Sequence, residues 1–267
     1  MQSSSSAAFC GGACGTLWRD DTSHSLHALA MTHSKPVLVL QNLSADGPGH
    51  LGTWLAREGV AFEVFDTEAG QAFPEHIDGY RALALLGGEM SANDDLSSLR
   101  QAERLILEAV AADVPVIGHC LGGQLMARAL GARVIDSPQP EIGWQTMRVL
   151  GSPAARTWFG ERDEALVYHW HRESFELPRG AELLASSAAC PNQAFAIGPH
   201  LALQFHVELD AHKLAVWSAS TDPTFLRLQR ECATVQSGAA MRDRARTALP
   251  AQQRLAEALY RRWLNAA

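Results

Sequence analysis

Cys120 stands inside Gly118-His119-Cys120-Leu121-Gly122, between the apolar run "VPVI" and a glycine-rich segment of helical character. A thiol with glycines two residues before and after it has the G-x-Nuc-x-G form of a nucleophile elbow. In that form a sharp strand-to-helix turn lifts the side chain out of the backbone. The turn would aid the sulfur in two ways. The partial positive charge at a helix N-terminus favours a thiolate, and the Leu121 N–H faces the oxyanion that forms when the sulfur attacks a carbonyl.

Such a nucleophile needs a general base and a group to orient it. "LALQFHVEL" (201–209) supplies His206 and Glu208 at the end of a strand-like run, where residues i and i+2 project to one face. Gly87-Gly88 closes another strand-like run, and Gly88 is the candidate for a second oxyanion N–H. A lone G-x-C-x-G is more often a packed cysteine, and a lone strand-end histidine is as often a core residue. The elbow cysteine, histidine and glutamate in combination point to acyl-transfer chemistry.

The elements that must position these groups follow from hydrophobic period. "PVLVLQ" (36–41), "VAFEVFD" (60–66), "RALALLGG" (81–88) and "VPVIG" (114–118) are apolar runs of strand length, as expected for strands buried on both faces. They alternate with helical patterns near 50–58, over 97–112 and over 121–132, with Gly131 placed as a stop. This rhythm predicts an α/β fold: a doubly wound, mostly parallel sheet with helices on both faces. Ligands of such sheets gather at the carboxyl ends of the strands, where Gly88, Cys120 and His206 fall. From 143 to 206 consecutive short strands predict an added antiparallel section. Leu255, Leu259 and Trp263, four residues apart, predict a packed C-terminal helix. The expected organisation is an N-terminal extension (1–34), a main domain (35–220) and a C-terminal helical extension (221–267).

Composition narrows the function. The chain has 267 residues, 47% hydrophobic and 19% charged, with a formal net charge of −7. Without a basic cluster there is no electrostatic support for nucleic-acid or anionic-membrane binding, and no apolar stretch is long enough to span a bilayer. The opening 30 residues are Ser-, Gly- and Ala-rich without the pattern of a signal peptide, so they read as a disordered tail, and Met31 is an alternative initiator. Cys10 and Cys14 within it have no partner pair for zinc. Five cysteines without a secretion signal fit reduced thiols in the cytoplasm. No metal or cofactor is expected.

With these residues in view, the sequence resembles the class I, or triad, glutamine amidotransferases. The matching blocks occur in the family's order: "LLGGEMSAND" (85–94), "VPVIGHCLGGQLMARALGARV" (114–134), "EIGW" (141–144), "YHWHRESFELPRGAELLASS" (168–187), "NQAF" (192–195) and "QFHVE" (204–208). The resemblance covers about residues 36–220 and is strongest to stand-alone members related to the glutaminase domain of guanosine monophosphate synthetase. It implies Cys120 as nucleophile, His206 as base and Glu208 as orienting carboxylate, acting on glutamine's side-chain amide through a γ-glutamyl thioester. It also implies Gly88 and Leu121 as oxyanion positions and Gln124 as a substrate-binding residue.

The sequence departs from the family at Val207, where "H-P-E" is usual, and at "HWHRESFELP", where "S-H-G-D" is common. His169 and His171 either line the pocket or bind a product, or are only polar residues on a half-exposed strand; the second reading is favoured. His119 is expected to pack near the elbow, and Cys190 and Cys232 to be structural. Family members commonly pass ammonia to a synthase site. Residues 221–267 are too few for a nucleotide-activating domain, and no G-x-x-x-x-G-K-[ST] loop occurs. The first expectation is therefore an amidotransferase with a separate synthase or acceptor subunit. Alternatives are a γ-glutamyl hydrolase or peptidase without such a partner, and a non-catalytic binding protein of the same fold.

Overall fold

The computed structural model describes residues 35–266; the N-terminal extension expected over 1–34, with Cys10 and Cys14, lies outside the described residues. β1 (Val37–Gln41), β2 (Phe62–Asp66), β3 (Ala82–Leu85), β4 (Val116–His119) and β9 (His200–Leu203) pair in parallel in the order β2-β1-β3-β4-β9. The chain runs outward from β1 to β2, then crosses to β3 on the other side, which puts the topological switch at β1. All five carboxyl ends share one rim of the sheet.

Strand residues alternate between two cores. Val37, Val39, Ala84, Ile117 and Leu203 face one, and Leu38, Leu40, Leu83, Leu85 and Val116 the other. Full burial on both faces explains why these strands read as continuous apolar runs. The first face is covered by α1 (Gly49–Arg57), α4 (Pro153–Phe159) and the latter half of α7 (Gly238–Asn265). The second is covered by α2 (Ser97–Ala111) and α3 (Leu121–Ala129). α4 does not follow from hydrophobic period, being only two turns long, although it carries a start signal. Ser152 accepts a hydrogen bond from the Ala155 amide, and Pro153 opens the helix.

The remaining strands, β5 (Val134–Val149), β6 (Glu164–Phe175), β7 (Glu182–Ser186) and β8 (Ala194–Ile197), extend the same sheet antiparallel beyond β9. The expected antiparallel section is therefore there, with one difference. The sequence pattern groups β9 with that section, but β9 pairs in parallel with β4 on its other side and so joins the two halves. A third core, built around Trp144, Tyr168, Leu214, Phe225 and Met241, lies beneath α5 (Ala211–Ser218), α6 (Pro223–Glu231) and the start of α7. No helix among the described residues is long and apolar enough to cross a membrane.

Leu255, Leu259 and Trp263 are almost fully buried in the first core, and the Trp263 indole donates to the Pro115 carbonyl at 3.0 Å. Removing this side chain takes away apolar burial and leaves that carbonyl without its donor. Trp263→Ala is expected to cost about 3–5 kcal/mol, read as a lower urea midpoint. A change below about 1 kcal/mol would mean that the end of α7 does not stabilise the sheet.

Candidate active site

β4 ends at His119, and Cys120 turns the chain into α3 with φ 50° and ψ −107°. A non-glycine residue at positive φ is strained and persists only where its surroundings hold it. Here the Cys120 amide donates to the Leu203 carbonyl at 2.8 Å, and its carbonyl accepts from the Gln124 amide at 2.9 Å. The elbow also needs its glycines for close packing: a Cβ at Gly118 would stand 2.5 Å from the Gly122 carbonyl carbon. The sulfur lies over the start of α3, 3.7 Å from the Trp170 carbonyl, and the Gln204 amide donates to it at 3.6 Å. The Leu121 N–H opens the helix, where intrahelical acceptors are lacking.

The structure brings His206 and Glu208 to this elbow, although not in the way the strand alternation suggested. β9 stops at Leu203, and both residues sit in the turn beyond it. Backbone contacts fix that turn. The His206 amide donates to the Tyr168 carbonyl at 2.9 Å, Gln252 donates to the His206 carbonyl at 3.0 Å, and the His50 amide donates to the Glu208 carbonyl at 2.9 Å. His206 Nδ1 meets Glu208 Oε1 at 2.7 Å, with both side chains buried. Nε2 has no hydrogen-bond partner among the described residues and is the nitrogen left for Cys120. Gly87 marks how tight the junction is, since a Cβ there would stand 2.9 Å from His206 Cε1 and 3.9 Å from Cys120 Cβ.

Burial opposes a charge on this imidazole, but the Glu208 carboxylate and the Cys120 sulfur outweigh it and raise its pKa from 6.5 to about 10. Burial likewise opposes ionisation of Glu208. His206, His119 and Lys213 outweigh it and hold the carboxyl well below its usual range. Stability carried by the His206 charge is complete below about pH 6.5 and is lost as pH rises through about 10. The contribution of Glu208 is present above about pH 4.5 and is lost as pH falls through its lowered value.

Several residues around the pair were missed from sequence. Lys213 on α5 is buried, with Nζ 3.6 Å from Glu208 and 3.7 Å from Asp46. Asp46, in the turn after β1, accepts from the Trp217 indole at 3.0 Å. The Trp217 ring meets the His206 ring edge-on at 4.8 Å. Asp46 reads as an ordinary turn residue, and the only hint of Lys213 is a lone cation in an apolar helical stretch. Gln204 is legible only as part of "QFHVE".

A cleft of about 800 Å³ opens above these groups, with Cys120, His206, Gly88, Leu121 and Gln124 in its lining. Gly88 packs directly against Met90 and Leu121: a Cβ there would stand 2.5 Å from Met90 Sδ and 2.7 Å from Leu121 Cδ2. The Gln124 amide nitrogen donates to the Glu173 carbonyl at 3.1 Å. His119 points beneath the elbow: it is fully buried, and Nδ1–H donates to the Leu85 carbonyl at 3.1 Å. Cys190 is a buried free thiol bonded to Ser174, and Cys232 is free and half-buried. The half-exposed reading of His169 and His171 needs correction: both are buried, together with Glu141, and His171 lines the cleft while His169 does not.

The chain belongs to the class I glutamine amidotransferase family, whose model matches residues 53–214. It is 31% identical over 172 residues to the glutamine amidotransferase-like protein YfeJ of Salmonella typhimurium, covering 62% of this chain and 72% of that one. With a subunit of the glutamine-hydrolysing GMP synthase of Thermoplasma acidophilum it shares 32% identity over 169 residues, 60% of this chain and 80% of the relative. Among solved structures, a glutamine amido transferase of Methylobacillus flagellatus superposes with a TM-score of 0.80 at 37% identity, covering 87% of this chain and 95% of that one. A glutamine amidotransferase of Thermotoga maritima gives 0.76 at 26% identity, covering 87% and 99%.

If Glu208 holds the imidazolium, Glu208→Gln removes its strongest favourable charge. The His206 titration midpoint, followed by NMR of the labelled ring, is expected to fall from about 10 to near or below its ordinary value. An unchanged midpoint would show that the carboxylate does not set it.

Proposed function

We propose that this protein is a glutaminase-type amidotransferase that hydrolyses the side-chain amide of glutamine through a γ-glutamyl thioester on Cys120. The observation that carries this reading is the 2.7 Å contact between His206 and Glu208 beside a strained cysteine at a helix start, in one cleft. His206 holds the proton that the thiol has given up, and the sulfur bonds to the amide carbon as the carbonyl electrons move to oxygen. The Leu121 and Gly88 N–H groups receive that oxyanion. When the C–N bond breaks, the proton on His206 leaves with the nitrogen as ammonia. His206 then takes a proton from water, the resulting hydroxide attacks the thioester, glutamate departs from the sulfur, and the proton stays on His206 for the next cycle. Lys213 and Asp46 act on this chemistry through Glu208 and Trp217, as positioning residues.

Ammonia released in the cleft would go to an acceptor site on a separate synthase, in keeping with the likeness to a GMP synthase subunit. The free thiols at Cys120, Cys190 and Cys232 suit a reducing cytoplasmic setting.

A second reading is favoured by the cleft itself. At about 800 Å³ it is towards the upper end of small-molecule pockets, and Trp170, Trp217, Phe225 and Leu228 form an apolar wall. That wall has no obvious use for glutamine alone. It suits a γ-glutamyl amide of an apolar or aromatic amine, hydrolysed without a synthase.

Purified protein is expected to release ammonia from glutamine, and Cys120→Ala to abolish that release while leaving the circular dichroism spectrum and melting transition in place. Glu208→Gln is expected to lower kcat by on the order of 10²–10⁴, as for the loss of an orienting carboxylate in other triads. Full activity in Cys120→Ala would remove the proposed nucleophile. A much higher kcat/KM on γ-glutamyl anilides than on glutamine, reduced by Phe225→Ala, would select the hydrolase.

A further inference from the structure

Behind the cleft wall, Glu141 on β5 and His169 and His171 on β6 converge. Glu141 stands opposite His171 in the antiparallel register, and Gly143 opposite His169, so both rings and the carboxylate occupy one face of the strand pair. One ligand-capable atom from each residue lies within 4.8 Å of the other two. Glu141 Oε2 is 3.2 Å from His171 Nε2 and 4.0 Å from His169 Nδ1. The three side chains are at most 2% exposed.

Protein groups alone leave this cluster poorly satisfied. His171 Nδ1 lies 3.2 Å from the Glu173 carbonyl, which only accepts, so Nδ1 carries the proton. Nε2 lies 3.2 Å from a Glu141 carboxylate oxygen without forming an aligned hydrogen bond. Neither nitrogen of His169 has a hydrogen-bond partner among the described residues. Three buried ring nitrogens without an aligned partner, gathered around one carboxylate, is an arrangement that buried polar groups avoid. A cation between them satisfies all three at once.

We propose that Glu141, His169 and His171 form a structural site for a divalent transition metal, zinc best fitting two imidazoles and a carboxylate. Zinc takes nitrogen and carboxylate oxygen at about 2.0–2.2 Å in a tetrahedron, which sets ligand atoms a little over 3 Å apart. The Glu141–His171 edge already has that spacing.

The supporting contacts are those that orient metal ligands. The Glu173 carbonyl fixes the His171 tautomer, Ser187 donates to Glu141 Oε1 at 2.8 Å, and Gln193 Nε2 donates to Oε2 at 2.5 Å. Water, or the buried and unpartnered Gln193 Oε1, is left for the fourth position. His171 lines the cleft and gives an ion its way in. The metal would hold β5 to β6 and thereby fix Trp170, which lies between the two histidines and presents its carbonyl to the Cys120 sulfur at 3.7 Å. It would take no part in the reaction.

The test uses the full chain, prepared without a histidine tag, stripped with chelator and titrated with zinc by calorimetry. The expected result is one tight zinc per chain and a higher melting temperature on binding. Glu141→Gln and His169→Gln should each weaken binding by at least tenfold, while Cys120→Ala retains it. Cobalt substitution should give tetrahedral d–d absorption without a thiolate charge-transfer band. Two variants guard against a misfolded one, since circular dichroism identifies which is folded and the cobalt spectrum of the wild type needs neither. The proposal is overturned if the folded wild type binds no zinc, if binding survives both cluster variants, or if it is lost with Cys120 or accompanied by the thiolate band.

Discussion

The hydrogen bond from the Cys120 amide to the Leu203 carbonyl, 2.8 Å long, joins the two halves of the candidate site. It continues the parallel pairing of β4 with β9 just past the end of β4, and it anchors the one residue whose positive φ throws its side chain above the sheet. Because β9 runs parallel to β4, the chain leaves it at the rim where Cys120 stands, and His206 and Glu208 arrive within three to five residues. Had β9 followed the direction of the strands before it, the histidine would emerge at the opposite edge. One parallel pairing therefore brings a thiol and an imidazole, far apart in sequence, to either side of Gly87 in one cleft.

Around that pair the site is organised by charge. His206 and Glu208 are each buried, and each carries a charge that burial alone would forbid. Each is made tolerable by the other, and Lys213 and Asp46 extend the alternation of sign outward to the Trp217 indole. Breaking such a chain at one member leaves a buried charge uncompensated, a cost larger than the intact pair contributes to stability. The same logic relates the Glu141 cluster to β6. There a carboxylate and two imidazoles lie within a few ångströms of one another, one strand residue away from the carbonyl that touches the sulfur.

Much of this was legible in the sequence where a signal was local. The elbow glycines, the apolar runs of the parallel strands and the four-residue spacing of Leu255, Leu259 and Trp263 each depend on near neighbours, and the corresponding elements formed. His206 and Glu208 were legible as residues but not as geometry. Strand alternation offered a reason for their shared direction, yet a turn held by Tyr168, Gln252 and His50 aims them. The burial of His169 and His171 was not legible, because period-two alternation says which residues share a face and not what covers that face. Asp46 and Lys213 meet only after α5 packs against the turn following β1, and nothing near either residue announces it.

The most direct test of the central pairing is covalent trapping. A chloroketone analogue of glutamine should alkylate the Cys120 sulfur with loss of chloride, and peptide mass spectrometry locates the adduct. The expected result is a single adduct on Cys120, formed much faster than on the other four cysteines and slowed when His206 is replaced by alanine. Labelling spread evenly over the five cysteines, or a Cys120 rate indifferent to His206, would contradict a thiol activated by that imidazole.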